Sequence, residues 1–317
     1  MSVSVIGAGA FGTSLAIALA RNGTDVVLWG RDKDDIVAMQ DTRRSGRRLP
    51  GYHLPDRLSV TADLKAVPLE TCLLAIPMQT LAGFLAKLGD ECGALIACCK
   101  GVDRSTGLGP VATIGRCGKS ETAAMLSGPS FAQDIAAGLP TALVLACEND
   151  TIGARLQEEL TRPTLRVYRS TDVAGVELGG ALKNIIALAA GMAHGAGLGD
   201  SARASVIARG FAEMTRYAVT KGASLETLHG LSGLGDLVLT CTSEKSRNFA
   251  AGIAFGKGRP PATMTIEGIA TAHAVATDAE SNALELPLIT TVAQVVSGEL
   301  DISSAVATLL ARPAGRE

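Results

Sequence analysis

Val3-Ser4-Val5-Ile6-Gly7-Ala8-Gly9-Ala10-Phe11-Gly12 is the stretch that decides how the first half of this chain folds. Val3 to Ile6 reads as a strand, and Gly7 to Gly12 fits the spacing G-x-G-x-x-G. Thr13 to Asn22 reads as a helix, ended by Gly23 in a C′-like position. Asp25 to Trp29 reads as a second strand, so strand, glycine turn, helix and strand follow one another within about 30 residues. In that setting each glycine has a task. Gly7 permits the tight turn, Gly9 lets backbone approach a pyrophosphate, and Gly12 lets helix and strand pack closely. The helix start then offers unpaired N–H groups and a partial positive charge to phosphates. A glycine-rich turn with no ligand is the plain alternative.

In such a unit the end of the second strand meets the adenine ribose. An acidic residue there bonds the 2′-hydroxyl of NAD, whereas an arginine suits the 2′-phosphate of NADP. Here the strand runs into Gly30-Arg31-Asp32, with Arg31 about 22 residues after Gly9. Arg31 therefore favours NADP, and Asp32 keeps NAD open.

Working outward, Asp32 to Gln40 reads as a short helix and Asp41 to Asp56 as a loop rich in Arg, Gly and Pro. Its Arg43, Arg44, Arg47 and Arg48, with Arg57 just beyond, offer either a phosphate attractor or a solvated loop. Thr71 to Ile76, Ala94 to Cys99, Ala123 to Leu126 and Ala142 to Ala146 are short apolar runs. Strands alternating with helices predict a parallel sheet flanked by helices. Beyond Thr171-Asp172, a plausible N-cap, helical spacing takes over. Ile207, Phe211, Met214 and Ala218 recur on one face, and residues 280–312 read as helices broken near Pro287 and Gly298. The expected architecture is α/β: a Rossmann-type doubly wound sheet over residues 1–175, then an all-α domain over residues 176–317.

Composition narrows the class. The chain has 317 residues, 47% of them hydrophobic but only 3% aromatic, which supplies two aliphatic cores. A net charge of −2 gives no broad basic field for nucleic acid. The seven cysteines show no metal spacing, so no metal is expected and unpaired thiols in a reducing, cytoplasmic compartment are. The N-terminus lacks the basic region of a signal peptide, and no stretch offers roughly 18 uninterrupted apolar residues for a membrane span. The longest candidate, Ala181 to Gly191, contains Lys183 and Asn184.

The substrate must be read from the second half. In Glu177-Leu178-Gly179-Gly180-Ala181-Leu182-Lys183-Asn184-Ile185-Ile186-Ala187, helical spacing puts Val176, Gly180, Lys183 and Ala187 on one face. An ammonium in apolar surroundings has a lowered pKa and suits proton transfer. A lysine snorkelling out of a core helix fits the same residues. Further on, Asp236 and Thr240 are spaced to share a helix face, and Ser246-Arg247-Asn248 combines a guanidinium fork with an amide. Helix capping and a loop salt bridge are the competing explanations.

Taken in order, these blocks resemble bacterial NAD(P)-dependent glycerol-3-phosphate dehydrogenases along nearly the whole chain. They are Val5 to Gly12, Trp29-Gly30-Arg31, Cys99-Lys100-Gly101, Ser127 to Ala132 with Ala137 to Ala142, Leu178 to Ile185, Gly233 to Thr242, Ser246-Arg247-Asn248 and Ile266-Glu267-Gly268. The resemblance implies hydride transfer between a nicotinamide and C2 of glycerol 3-phosphate or dihydroxyacetone phosphate, serving phospholipid synthesis. It gives Lys183 the general acid/base role and Lys100 a place at both substrate and cofactor. Asp236 and Thr240 become the polar lining of the catalytic site. Arg247 and Asn248, with Ser246, become the clamp on the substrate phosphate. Gly128 and Ser130 become substrate contacts. Gly7, Gly9, Ala10, Phe11, Gly12, Arg31, Ala132, Arg247 and Glu267 become cofactor contacts. A homodimer is implied too. Ala10, where many relatives carry Ser or Asn, leaves the phosphate grip to the backbone, and Pro77-Met78-Gln79 departs from the commoner Pro-Ser near the nicotinamide. Two alternatives stay open: a two-domain hydroxy-acid or ketoacid dehydrogenase of the same build, and a non-catalytic NADP-binding sensor.

Overall fold

A computed structural model describes residues 2–89, 92–259 and 266–311, the side chain of Glu121 excepted. Arg312, at the end of the last expected helix, lies outside the described residues. The chain divides into two compact units, residues 1–177 and 178–317.

The first unit is built on strands β1 Ser2–Ile6, β2 Asp25–Trp29, β3 Leu58–Thr61, β4 Thr71–Leu74, β5 Cys92–Ala97, β6 Ser120–Ser127, β7 Thr141–Ala146 and β8 Leu165–Ser170. Among the described residues they form one eight-stranded sheet in the order β3-β2-β1-β4-β5-β6-β7-β8. From β3 to β6 every pairing is parallel. Val5 lies opposite Leu28 on one side and Leu73 on the other, and all three are fully buried or nearly so. Strands sandwiched between helices are buried on both faces, which is why they read as continuous apolar runs.

The expected parallel sheet needs one correction: β7 runs antiparallel to β6, while β8 is parallel to β7. The link between β6 and β7 contains only the six-residue helix Ala132–Ala137. It supplies ~9 Å of rise against the ~20 Å length of a six-residue strand, too little to carry the chain back to the far end of the sheet. Strands β3 and β8, at the two edges, were also not expected.

The order in which strands are added reverses between β1 and β4, where ligands of open α/β sheets bind. Because β1, β2, β4, β5 and β6 share one direction, their carboxyl ends lie on one edge. The glycine turn, Arg31, Pro77, Lys100 and Gly128 each follow one of those ends.

At the close of this unit Glu177 reaches the start of the helix Pro110–Cys117. Its Oε1 accepts the Val111 N–H at 2.6 Å, and a Cβ on Gly109 would lie 2.6 Å from its Oε2. Burial pushes the Glu177 carboxyl up to about 7, opposed by that backbone hydrogen bond.

The second unit is helical, with no strand among its described residues. The helix Val173–Gly195 enters it, started by Asp172, whose carboxylate accepts the Gly175 N–H. Pro287 opens the helix Pro287–Ser297 and Gly298, in the left-handed region, ends it, so both expected breaks occur. Two glycine pairs spaced four apart, Gly191 with Gly195 and Gly252 with Gly256, face each other across two helices. A Cβ on Gly191 would meet Phe249 O at 2.2 Å, and one on Gly252 would meet Leu188 O at 2.2 Å. The helices Val173–Gly195 and Arg247–Gly256 therefore touch backbone to backbone. Val173–Gly195 is the helix among the described residues long and apolar enough to cross a membrane, yet 78% of its apolar window is buried within the protein.

Candidate active site

The glycine turn has the expected strain and the expected space. Gly7 sits at φ 117°, where a Cβ would strike Ala75 O at 2.4 Å, and a Cβ on Gly12 would strike Gly7 O at 2.1 Å. Both glycines are imposed by packing within the protein. Gly9 differs, since a Cβ there meets nothing within 4 Å. Gly9 is also the N-cap of the helix Ala10–Arg21, with no side-chain cap and no acidic residue in the first turn. Donors without partners beside open space fit a dinucleotide pyrophosphate. Ala10 and Phe11 stand half-buried at that helix start.

At the end of β2, Arg31 is exposed and has no ion pair among the described residues. Asp32 is engaged. Its carboxylate caps the helix Lys33–Thr42 by accepting the Asp35 N–H, and it pairs with Arg47 at 2.5 Å. The loop arginines are thus only partly a solvated face. Arg43, held at φ 51°, donates to the carbonyls of Leu54, Pro55 and Leu58.

Half-buried Lys100 follows β5. Gln79, from the Pro77-Met78-Gln79 segment, donates its side-chain amide to Val102 O at 2.7 Å and accepts the Arg104 N–H at 3.2 Å. Gln79 thus pins the loop leaving Lys100. Gly128 has φ 140°, and the Ser130 hydroxyl bonds back to its carbonyl. Ala132 starts the short helix that packs beside Phe11 on the first core.

In the second unit the structure brings Lys183, Asp236 and Thr240 together. The Lys183 ammonium donates to Asp236 Oδ1 at 2.5 Å and to Thr240 Oγ1 at 2.6 Å. All three are buried, Asp236 to 1% exposure. The expected apolar surroundings are therefore corrected. Neighbouring core is apolar, but a carboxylate lies against the ammonium and offsets its desolvation. Asp236 and Thr240 share the helix Asp236–Cys241, entered through a π-turn at Leu231–Gly235. That turn seats against the lysine helix at Gly179, where a Cβ would lie 2.7 Å from Ser232 O. Burial pushes the nearby Cys241 thiol up to about 12, so it stays protonated; Lys183 opposes the shift. All seven cysteines are thiols outside any disulfide.

Ser246 caps the helix Arg247–Gly256, its hydroxyl accepting the Phe249 N–H at 3.3 Å. Arg247 is half exposed and lies 3.7 Å from the Glu267 carboxylate. Asn248 is buried instead. Its amide donates to Asn184 Oδ1 at 2.9 Å and its carbonyl accepts the Gly268 N–H at 2.9 Å. Its side chain therefore ties three helices together, and no spacing in the sequence signals that relay.

A turn shaped for a pyrophosphate and a buried lysine held by a carboxylate define a dinucleotide-linked dehydrogenase. Comparison with known proteins gives the family. The model of the NAD-dependent glycerol-3-phosphate dehydrogenase N-terminus matches residues 2–153, and that of its C-terminus matches residues 172–307. The chain is 54% identical over 320 residues to a glycerol-3-phosphate dehydrogenase (NAD(P)+) of Paracoccus denitrificans, covering 100% of both chains. It is 54% identical to the like-named protein of Jannaschia, covering 99% of both. The crystal structure of glycerol-3-phosphate dehydrogenase from Coxiella burnetii is similar at a TM-score of 0.91 and 37% identity, over 98% of this chain and 99% of that one. The chain belongs to the NAD-dependent glycerol-3-phosphate dehydrogenase family.

Proposed function

We propose that this chain interconverts sn-glycerol 3-phosphate and dihydroxyacetone phosphate, with NADP as the preferred cofactor, and supplies glycerol 3-phosphate for phospholipid synthesis. The observation that carries the proposal is the buried ammonium of Lys183, bonded to Asp236 and Thr240. The nicotinamide, when bound, gives or takes the hydride at C2. Lys183 gives its Nζ proton to the C2 oxygen in reduction and recovers it in oxidation. Asp236 and Thr240 fix that ammonium in place. Phosphate sits at the start of the helix Arg247–Gly256, on the Arg247 fork and the N–H groups of the first turn. Asn248 acts there through its backbone and through the relay that sets the helix. In the first unit, the turn at Gly7 to Gly12, with Ala132, binds the dinucleotide and Arg31 its 2′-phosphate. Lys100, Gly128 and Ser130 contact substrate, and Glu267 stands by Arg247 toward the cofactor. A cytoplasmic homodimer completes the reading, and sedimentation of the purified chain as a monomer would remove that part.

The test is reduction of dihydroxyacetone phosphate with NADPH and NADH side by side, on wild type and Arg247→Ala. We expect turnover, faster at limiting NADPH. In the variant, KM for the phosphorylated ketone rises about 100-fold, the loss of a charge-assisted fork, while KM for dihydroxyacetone hardly moves. Equal damage with both ketones would sink the clamp.

A further inference from the structure

The end of β2 carries two opposite signals, Arg31 and Asp32, and the loop over residues 43–48 decides between them. Each oxygen of the Asp32 carboxylate already accepts a hydrogen bond, which weakens its pull on a ribose hydroxyl. Oδ1 accepts the Asp35 N–H at 3.2 Å, and Oδ2 pairs with the Arg47 guanidinium at 2.5 Å. Arg47 is itself held. Its backbone N–H and its Nε both bond to Asp35 Oδ1, at 3.3 and 3.4 Å. A Cβ on Gly46 would lie 2.5 Å from Asp35 Oδ2, so the loop seats on that carboxylate because residue 46 is glycine. The Ser45 N–H bonds to Tyr52 O and Arg43 to three carbonyls, which pins the loop on both sides. The Arg47 side chain is 76% exposed, so the pair adds little to stability. Its effect is on charge: one guanidinium is shared between two carboxylates, and Arg31 keeps its own charge.

We propose that Arg47 is a positioning residue for cofactor choice. By pairing with Asp32 it weakens the acceptor that would favour a 2′-hydroxyl, and it offsets the negative charge that would repel a 2′-phosphate. Arg31 is then left to meet that phosphate. This inference rests on the proposed NADP preference. It goes further by making the preference depend on a residue that need not touch the cofactor.

The experiment measures dissociation constants of NADP+ and NAD+ by titration calorimetry, on wild type, Arg47→Ala, and Arg47→Ala combined with Asp32→Asn. Asparagine keeps the helix cap and removes the charge. In Arg47→Ala the preference for NADP+ over NAD+ falls about tenfold or more, as one unscreened charge near a dianion requires. In the double variant the preference returns to within about threefold of wild type, because the liberated charge is gone. A single variant whose preference matches wild type overturns the inference, whatever the wild-type preference is. So does a double variant as impaired as the single, which would mean that Arg47 touches the phosphate itself. Wild type binding NAD+ as tightly as NADP+ would instead overturn the reading of Arg31. Circular dichroism melts of the three proteins show whether each is folded.

Discussion

Lys183 buries an ammonium between a carboxylate and a hydroxyl, and those partners come from a helix more than fifty residues further along the chain. Removing one partner of such a buried pair leaves the other charge uncompensated. Lys183→Ala should therefore cut kcat by about 10³-fold or more and leave the NADP+ dissociation constant near wild type. Asp236→Asn keeps an oxygen for Lys183 but loses the charge, and kcat should fall about 10- to 100-fold with the cofactor again bound normally. Single-turnover kinetics and calorimetry check both, and full turnover in Lys183→Ala would remove it from the chemistry. At this scale the sequence was legible wherever a residue's neighbours lie within one helical turn. Helical spacing placed Asp236 with Thr240. What joins Lys183 to Asp236, Asn184 to Asn248, or Asp32 to Arg47 is tertiary, and no local period reports it.

Within the glycine turn the three positions behave as different elements of construction. Gly7 and Gly12 are required by the packing of strand on helix, whereas Gly9 faces open space. Gly12→Ala should accordingly destabilise the cofactor-free protein by about 1–3 kcal/mol, with loss of binding as a consequence. Gly9→Ala should change cofactor-free stability by less than about 1 kcal/mol, yet weaken dinucleotide binding, because its methyl group fills the space a pyrophosphate needs. Thermal melts with and without NADPH separate the two, and equal destabilisation of the cofactor-free forms would contradict this division. Strand β2 was readable to the residue and β1 nearly so, since interior strands of a parallel sheet are mostly apolar, Ser4 alone breaking the run from Val3 to Ile6. The edge strands β3 and β8 were not. Leu165–Ser170 exposes Arg166, Tyr168 and Arg169, and an edge that must discourage further pairing carries such polar residues. The reversal of β7 was equally hidden, because direction belongs to the connection and not to the strand.

Over the whole molecule two separate aliphatic cores do the work of stabilisation, one beneath the sheet and one among the helices. Chain length and the change from alternating to helical periods had announced both. The pH response of the first unit was not announced, because it depends on how deeply Glu177 is enclosed. Burial raises its carboxyl from 4.5 to about 7. The folded state then binds more protons than the unfolded state between those values. Stability from this group is greatest below about pH 4.5, falls as pH rises, and levels off above about pH 7, a change of roughly 3 kcal/mol. Glu177→Gln keeps an acceptor for Val111 and should flatten that slope. Denaturant titrations at pH 5 and pH 7.5, followed by Trp29, the lone tryptophan and a resident of the same unit, measure it. A slope unchanged in the variant would assign the pH response elsewhere. The interleaved glycines of the second unit have another bearing. Where two helices touch through their backbones, no side chain is left to yield, so the span from Lys183 to the start of the Arg247 helix behaves as a fixed caliper. On the roles proposed for Lys183 and Arg247, that skeleton would set the length of substrate accepted, and lengthening the reach would take the redesign of a helix pair, beyond what any single pocket residue can supply.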